Sequence, residues 1–521
     1  MSITTTSKKT STRKDRKGRP VKGAAFTKKA LGTAPLAAPR GPGAAQRRRR
    51  RAWLDRLNWY EFAGKAAEST TRQVAGLFLA TASSPTSHEG IFIGKEQHTG
   101  WPFFHDVFAA YMDDILSSPN VIVLGDLGTG KSSFIKTWAV LRQLLLGRRV
   151  VILDKKRQQR AAADGRNLGE GEYAPLCRAV GVEPVRFILG RNSGGSRINI
   201  LDPEIGGGHG EDDDADGGAS QHQLLRAVLR EALGRAVAPL EGKALRVAHR
   251  VAVATARAQG RVATILDVVA HLDYPTAASL AFVNDRTTVE MLTTWGQEAA
   301  AELERMIDED LAGLIDGETS ADISLTAGLT VFDISALPDD GPAVPIIMAI
   351  INSWLRAVLD RQDSTVRTVL VIEEGWHLMS GTFAKVTQRN QKLSRGEALM
   401  NVTAMHHISD ADPDSPAITT IKEAGTVVIY RQDKADDAAR CVELFNLPDG
   451  CQATLMELPT GAALIKIGSG KPVIVTHMRS GWEESITNTD AAMESDAVVA
   501  LHEGDTRASG EDRTGTDRGV L

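Results

Sequence analysis

Cysteine is nearly missing from this chain. Cys177, Cys441 and Cys451 are the three residues of that type in 521, scattered and odd in number. That pattern excludes a disulfide framework and a cysteine metal cluster, and it suits a reducing compartment. Long apolar runs are missing too: none approaches the length of a bilayer crossing, and no apolar-cored signal peptide opens the chain. The expectation is a cytoplasmic protein, able at most to sit peripherally at the inner face of the cell membrane. Net charge is small, −4, but it conceals an asymmetry. Residues 1–56 hold seventeen Lys/Arg against Asp15 and Asp55, a net +15, while the remainder carries 44 basic and 63 acidic groups, a net −19. The stretch to Gln46 also nearly lacks large apolar residues and is rich in Ser, Thr, Gly, Pro and Ala, so it cannot bury a core. Residues 1–52 therefore read as a disordered basic arm that would attract DNA, RNA or an anionic membrane surface. A solubilising tail is the bland alternative. Pro20, Pro35, Pro39 and Pro42 argue against the amphipathic helix of a transit peptide.

What is present is a phosphate cradle. Val121-Ile122-Val123-Leu124 leads into Gly125-Asp126-Leu127-Gly128-Thr129-Gly130-Lys131-Ser132, followed by Ser133, which fits G-x-x-x-x-G-K-[ST] at every fixed position. Glycines let consecutive backbone N–H groups turn inward on a triphosphate. The helix that follows points its N-terminal dipole at the same anion. Lys131 is placed to reach the β- and γ-phosphates, and the Ser132 hydroxyl to ligate Mg²⁺. The stripe Phe134, Trp138, Leu141, Leu145 marks that helix, ending at Gly147. The substrate implied is ATP with Mg²⁺.

Strands and helices alternate around this motif. The segment 53–80 reads as helical, Gly90–Gly94 as a strand and Trp101–Ile115 as a helix. Residues 150–154 read as a buried strand ending in Asp154. Residues 187–189 and 198–201 continue the strand pattern. Composition then changes. Gly206–Ser220 contains Glu211-Asp212-Asp213-Asp214-Ala215-Asp216, whose spacing lacks the alternating ligands of a calcium loop and reads as a solvated linker. From His222 to about Gly317 the pattern is helical throughout. Strands resume at 329–334, 368–372, 402–405 and 426–430, and the chain closes on a hairpin, 462–467 with 472–476. The fold class expected is α/β: a mostly parallel sheet with helices on both faces, a C-terminal β-hairpin and an all-helical insertion. The divisions are 1–52 arm, 53–205 first part of the core, 206–320 linker and insertion, 321–482 second part, and 483–521 disordered acidic tail.

Carboxylates for nucleotide chemistry belong at the C-terminal tips of buried parallel strands, beside the phosphate loop. Val369-Leu370-Val371-Ile372-Glu373-Glu374 has that form. Neighbouring side chains on a strand point oppositely, so Glu373 is assigned to Mg²⁺ and Glu374 to the attacking water. Asp333, ending another apolar strand, is a weaker metal candidate.

In this order of motifs the chain resembles the conjugative-transfer (type IV secretion) ATPases, in the HerA–FtsK group of RecA-like P-loop motors. The motifs carrying the resemblance are the phosphate loop, Leu153-Asp154-Lys155, Ile198-Asn199-Ile200-Leu201-Asp202-Pro203, the helical insertion, Val331-Phe332-Asp333 and Ile372-Glu373-Glu374-Gly375-Trp376. The family usually has Asp-Glu-Ala-Trp at the last of these, so Glu373 and Gly375 depart from it. The resemblance implies a homo-oligomer, a hexamer, firing at subunit interfaces with an arginine reaching a neighbour's γ-phosphate. Arg395 and Arg431 occupy suitable places. His406 and His407 follow the 402–405 strand where the family has a polar γ-phosphate sensor; a merely structural role is equally open. It further implies transport of DNA or protein beside secretion or conjugation channel subunits. A soluble HerA- or FtsK-like DNA translocase and a nucleotide-gated scaffold with little turnover are the alternatives.

Overall fold

The computed structural model describes residues 89–161, 167–205, 217–283, 286–325, 328–362, 365–375, 396, 398–406, 408, 418 and 421–488. The basic arm, the 53–80 segment, residues 206–216 of the acidic linker, Trp376, Arg395, His407 and residues 489–521 lie outside them.

Strand sequences in the centre are mostly apolar, with polar residues chiefly near their ends, because both faces are covered. β3 (Asn120–Leu124), β4 (Arg149–Asp154), β8 (Leu329–Asp333), β9 (Thr368–Ile372), β10 (Leu399–Met405) and β11 (Thr426–Ile429) pair in parallel in the order β11-β3-β10-β9-β4-β8, and the two-residue β7 (Val185–Arg186) closes that edge. Side chains alternate between two cores. Val151, Leu153, Leu370 and Ile372 enter one face, Val150, Ile152, Val369 and Val371 the other. On the opposite edge the sheet turns antiparallel through β12 (Ala462–Ile467), β13 (Val473–His477), β1 (Ile91–Glu96) and β2 (Pro102–His105). The expected C-terminal hairpin is β12–β13.

The helix after the phosphate loop starts at Lys131–Phe134, widens into a π-helical stretch Ile135–Leu141 and closes at Arg142–Leu145. Of its predicted stripe, Phe134, Trp138 and Leu141 are buried, whereas Leu145 is exposed. Helix Ala343–Asp360 is long and apolar enough by composition to cross a membrane, yet most of it is buried within the sheet's first core. Four helices, Gly217–Leu233, Pro239–Ala258, Ile265–Asp273 and Val289–Glu309, build the insertion against that same core.

Three expectations need correction. Residues 101–115 do not form one helix: Pro102–His105 pairs with β1, and the helix is confined to Val107–Met112, capped by Asp106. Asp106 also holds Arg148 in a buried ion pair at 2.6 Å, which fixes the turn there. Residues 187–189 and 198–201 are not strands. Phe187 N–H still donates to the Asp333 carbonyl at the end of β8 (2.9 Å), and beyond it the backbone leaves the sheet. Gly190 N–H donates to Ala312, and Ile198 N–H to Leu314, tying both segments to the end of the insertion. Order does not stop at Glu483. Helix Gly481–Thr487 starts on a Ser480/Glu483 capping box, and Arg142 clamps Glu483 with two bonds of 2.8 and 3.0 Å. Burial alone would raise the Glu483 carboxyl, but Arg142 and Ser480 outweigh it and bring it down to about 2.

Candidate functional site

The phosphate loop is shaped by backbone that only glycine adopts freely. Gly128 and Gly130 have φ of +72° and +104°, and Leu127 at the loop tip is largely exposed. At Gly125 the constraint is space instead, since a Cβ there would lie 2.5 Å from the Tyr430 Cβ. The loop is braced from two sides. Asp126 N–H donates to the Arg431 carbonyl at 3.2 Å, and Gly461 N–H to the Thr129 carbonyl at 2.9 Å. The Thr129 hydroxyl closes the turn on the Asp126 carbonyl at 2.8 Å.

Lys131, first residue of the helix, is buried with its ammonium folded inward. Nζ donates to the Gly125 carbonyl (3.0 Å), the Met405 carbonyl (2.9 Å) and His406 Nδ1 (2.9 Å). Burial pushes this ammonium down to about 8, against the pull of the Glu373 and Glu374 charges.

Both acids sit at the end of β9. Glu374 has a left-handed φ of +56°, a rare conformation for a residue with a side chain. Gly375 N–H then donates to the Ala404 carbonyl at 2.9 Å, drawing the backbone against β10. A Cβ at Gly375 would stand 2.2 Å from Thr403 Cγ2, so glycine is what this approach demands. Glu374 Oε1 lies 3.3 Å from His406 Nε2. Glu373 is buried and accepts a 2.6 Å bond from the Tyr173 hydroxyl. Its carboxyl is raised by burial and by the Glu172 charge, with Tyr173, Lys131 and Lys156 opposing.

Beneath the acids lies a polar layer that the sequence reading missed. A two-stranded ribbon, β5 (Arg157–Ala161) with β6 (Asn167–Gly171), delivers Glu172 and Tyr173. Glu172 is fully buried between Lys136 (2.9 Å) and Lys156 (3.1 Å). Burial would raise its carboxyl, but the two lysines lower it. Asp154, at the tip of β4, accepts from Tyr173 N–H at 2.9 Å and is pushed well up by burial and by the nearby Asp333 charge. Asp333 itself, at the tip of β8, is engaged by Ser335 (2.6 Å to the hydroxyl) and Arg186 (3.1 Å). Lys136, a lone charge inside the apolar run Ile135–Leu141, was the sequence signal for this layer.

The structure thus brings Lys131, Glu373, Glu374 and His406 together at the C-terminal ends of adjacent strands. Ser132 and Ser133 follow Lys131 on the first helical turn. Arg431 stands beside its own phosphate loop with its guanidinium on Asp433 at 2.9 Å. A hydroxyl and carboxylates are hard oxygen donors of the kind Mg²⁺ takes.

The sequence matches no family model and no curated protein. Among solved structures, VirB4 of Thermoanaerobacter pseudethanolicus superposes with a TM-score of 0.60 at 19% identity, covering 77% of this chain and 100% of that one. The plasmid coupling protein TrwB in complex with ADP and Mg²⁺ gives 0.45 at 14% identity, covering 77% and 96%. The genome packaging NTPase B204 of Sulfolobus turreted icosahedral virus 2, in complex with AMP, gives 0.30 at 10%, covering 70% and 100%. Together with the sheet order, the VirB4 likeness establishes the fold alone: the chain has the mostly parallel α/β architecture of the RecA-like P-loop fold.

Proposed function

We propose that this chain is an ATP-hydrolysing motor that powers transfer of DNA or protein in a conjugation or type IV secretion-like machine. The observation that carries the reading is the convergence of Lys131, Glu373, Glu374 and His406 from the ends of β3, β9 and β10. The phosphate loop's N–H groups, Gly125 to Ser133, receive the triphosphate of ATP, and Lys131 moves from its backbone acceptors to the β- and γ-phosphates. Ser132 and Glu373 hold Mg²⁺, which when bound offsets the charge shared by those phosphates. Glu374 orients and deprotonates the attacking water. An arginine completes the charge balance, its planar fork suiting a spread negative charge. Arg431 is anchored to its own phosphate loop, which favours Arg395 as the group reaching a neighbour's site in a homo-hexamer. The basic arm supplies salt-sensitive attachment to nucleic acid or to anionic lipid at the membrane's inner face.

The test is steady-state hydrolysis of Mg-ATP by the full chain over a range of protein concentrations, with and without duplex DNA, using Lys131→Ala as the blank. Specific activity should rise with concentration as the ring assembles and rise further with DNA. Activity that assembles but ignores DNA points to protein cargo. Tight ATP binding without turnover would leave a scaffold, and activity equal in Lys131→Ala would remove the site altogether.

A further inference from the structure

An ammonium has three protons, and Lys131 spends all three inside the protein. Two acceptors are backbone carbonyls, of Gly125 and Met405. The third is a side chain, His406 Nδ1 at 2.9 Å. A phosphate can be bound by this lysine only after at least one of these bonds is given up, and the histidine is the acceptor best able to move. Its other nitrogen has the opposite duty. With Nδ1 accepting from Lys131, the proton of a neutral imidazole resides on Nε2, which faces Glu374 Oε1 at 3.3 Å. The direction of donation therefore runs from Lys131 to His406 to Glu374. One ring caps the phosphate-binding cation and holds the carboxylate that faces the water.

The backbone contributes to the same arrangement. Glu374 is reached through its left-handed φ of +56°, and Gly375 is pinned to β10 by the Ala404 carbonyl. Met405, whose carbonyl also accepts from Lys131, immediately precedes His406 on β10. The base and the lysine are thus fixed to one strand end through adjacent residues. His406 is about three-quarters buried, enough to limit competition from water for either bond.

We propose that His406 is a positioning residue that latches the resting site, so that capture of Lys131 by phosphate frees the histidine and re-aims Glu374. This rests on the ATPase reading above. It adds that binding at the phosphate loop and readiness of the base are coupled through one side chain. Turnover is then restrained until a triphosphate has drawn the lysine away.

The experiment compares wild type, His406→Ala and His406→Gln as full-length proteins, measuring ATP affinity by calorimetry and hydrolysis in the same buffer. Removing the cap leaves Lys131 short of an acceptor, so His406→Ala should bind ATP about tenfold more tightly. The same change removes the His406 bond from Glu374, so kcat should fall by about tenfold or more. A glutamine amide offers an acceptor and a donor at similar spacing, so His406→Gln should recover most of kcat and return the affinity towards wild type. A merely structural histidine would worsen both quantities together and would not be rescued by Gln; that outcome overturns the latch. So does wild-type behaviour in His406→Ala. Wild-type protein that neither binds nor hydrolyses ATP would instead sink the ATPase reading, and the latch with it.

Discussion

The strand-end layer beneath the phosphate loop and the helical insertion bury opposite kinds of residue. The layer buries charge: Lys131, Lys136, Asp154, Glu172 and Glu373 are all nearly inaccessible. The insertion buries small aliphatic side chains such as Ala244, Ala248, Ala299 and Ala300, and keeps its ion pairs on the outside. Arg235 with Glu298, and Arg305 with Glu302 and Glu309, are of that exposed type. Removing charge from water is costly, so a fold does it where the charge acts. Exposed pairs are nearly neutral energetically, and their removal changes little. The difference separates the layer around the proposed site from the insertion, which buries mostly aliphatic side chains.

That contrast can be broken by cutting each kind of pair. Lys136→Met should cost about 3–5 kcal/mol, because it leaves Glu172 buried with Lys156 alone. Urea unfolding measures this, and the same variant should lose turnover as the Tyr173–Glu373 bond is disturbed. Arg305→Ala, which cuts exposed pairs with Glu302 and Glu309, should hardly move the midpoint; equal losses in the two variants would erase the distinction.

One pair of groups in the insertion departs from its apolar rule. His222 and His249 stack with ring centroids 6.1 Å apart, and His222 Nδ1 and His249 Nε2 find no hydrogen-bond partner among the described residues. Burial lowers both imidazoles to about 4, helped at His222 by Arg246, Arg226 and Arg250 and at His249 by His222 and Arg250. The unfolded chain therefore binds protons that the folded one refuses. Stability is complete above the ordinary histidine value and falls as pH drops towards 4. Thermal unfolding between pH 7 and 4 should show that decline, with a shallower slope in His249→Leu. Parallel slopes would mean that the pair is not what titrates.

The sequence exposed the phosphate loop, the acid pair and the helical insertion because each is local. A loop motif, a strand tip and a helical period are all written in consecutive residues. Charge partners contributed from afar were invisible. Nothing near Glu373 announces Tyr173, which arrives two hundred residues earlier on the β5–β6 ribbon. The errors have the same origin. Residues 187–189 and 198–201 have strand composition, but Gly190 and Ile198 bond to Ala312 and Leu314, at the far end of the insertion. Glu483 looked like the start of a polar tail because its partner, Arg142, belongs to the phosphate-loop helix.

The most direct measurement concerns the two adjacent acids. ATP binding and single-turnover hydrolysis should be followed in Glu374→Gln and Glu373→Gln beside wild type. The account predicts that Glu374→Gln keeps ATP affinity near wild type while hydrolysis slows by about 10²–10⁴-fold, and that Glu373→Gln chiefly weakens the dependence on Mg²⁺. Hydrolysis at the wild-type rate in Glu374→Gln would contradict it.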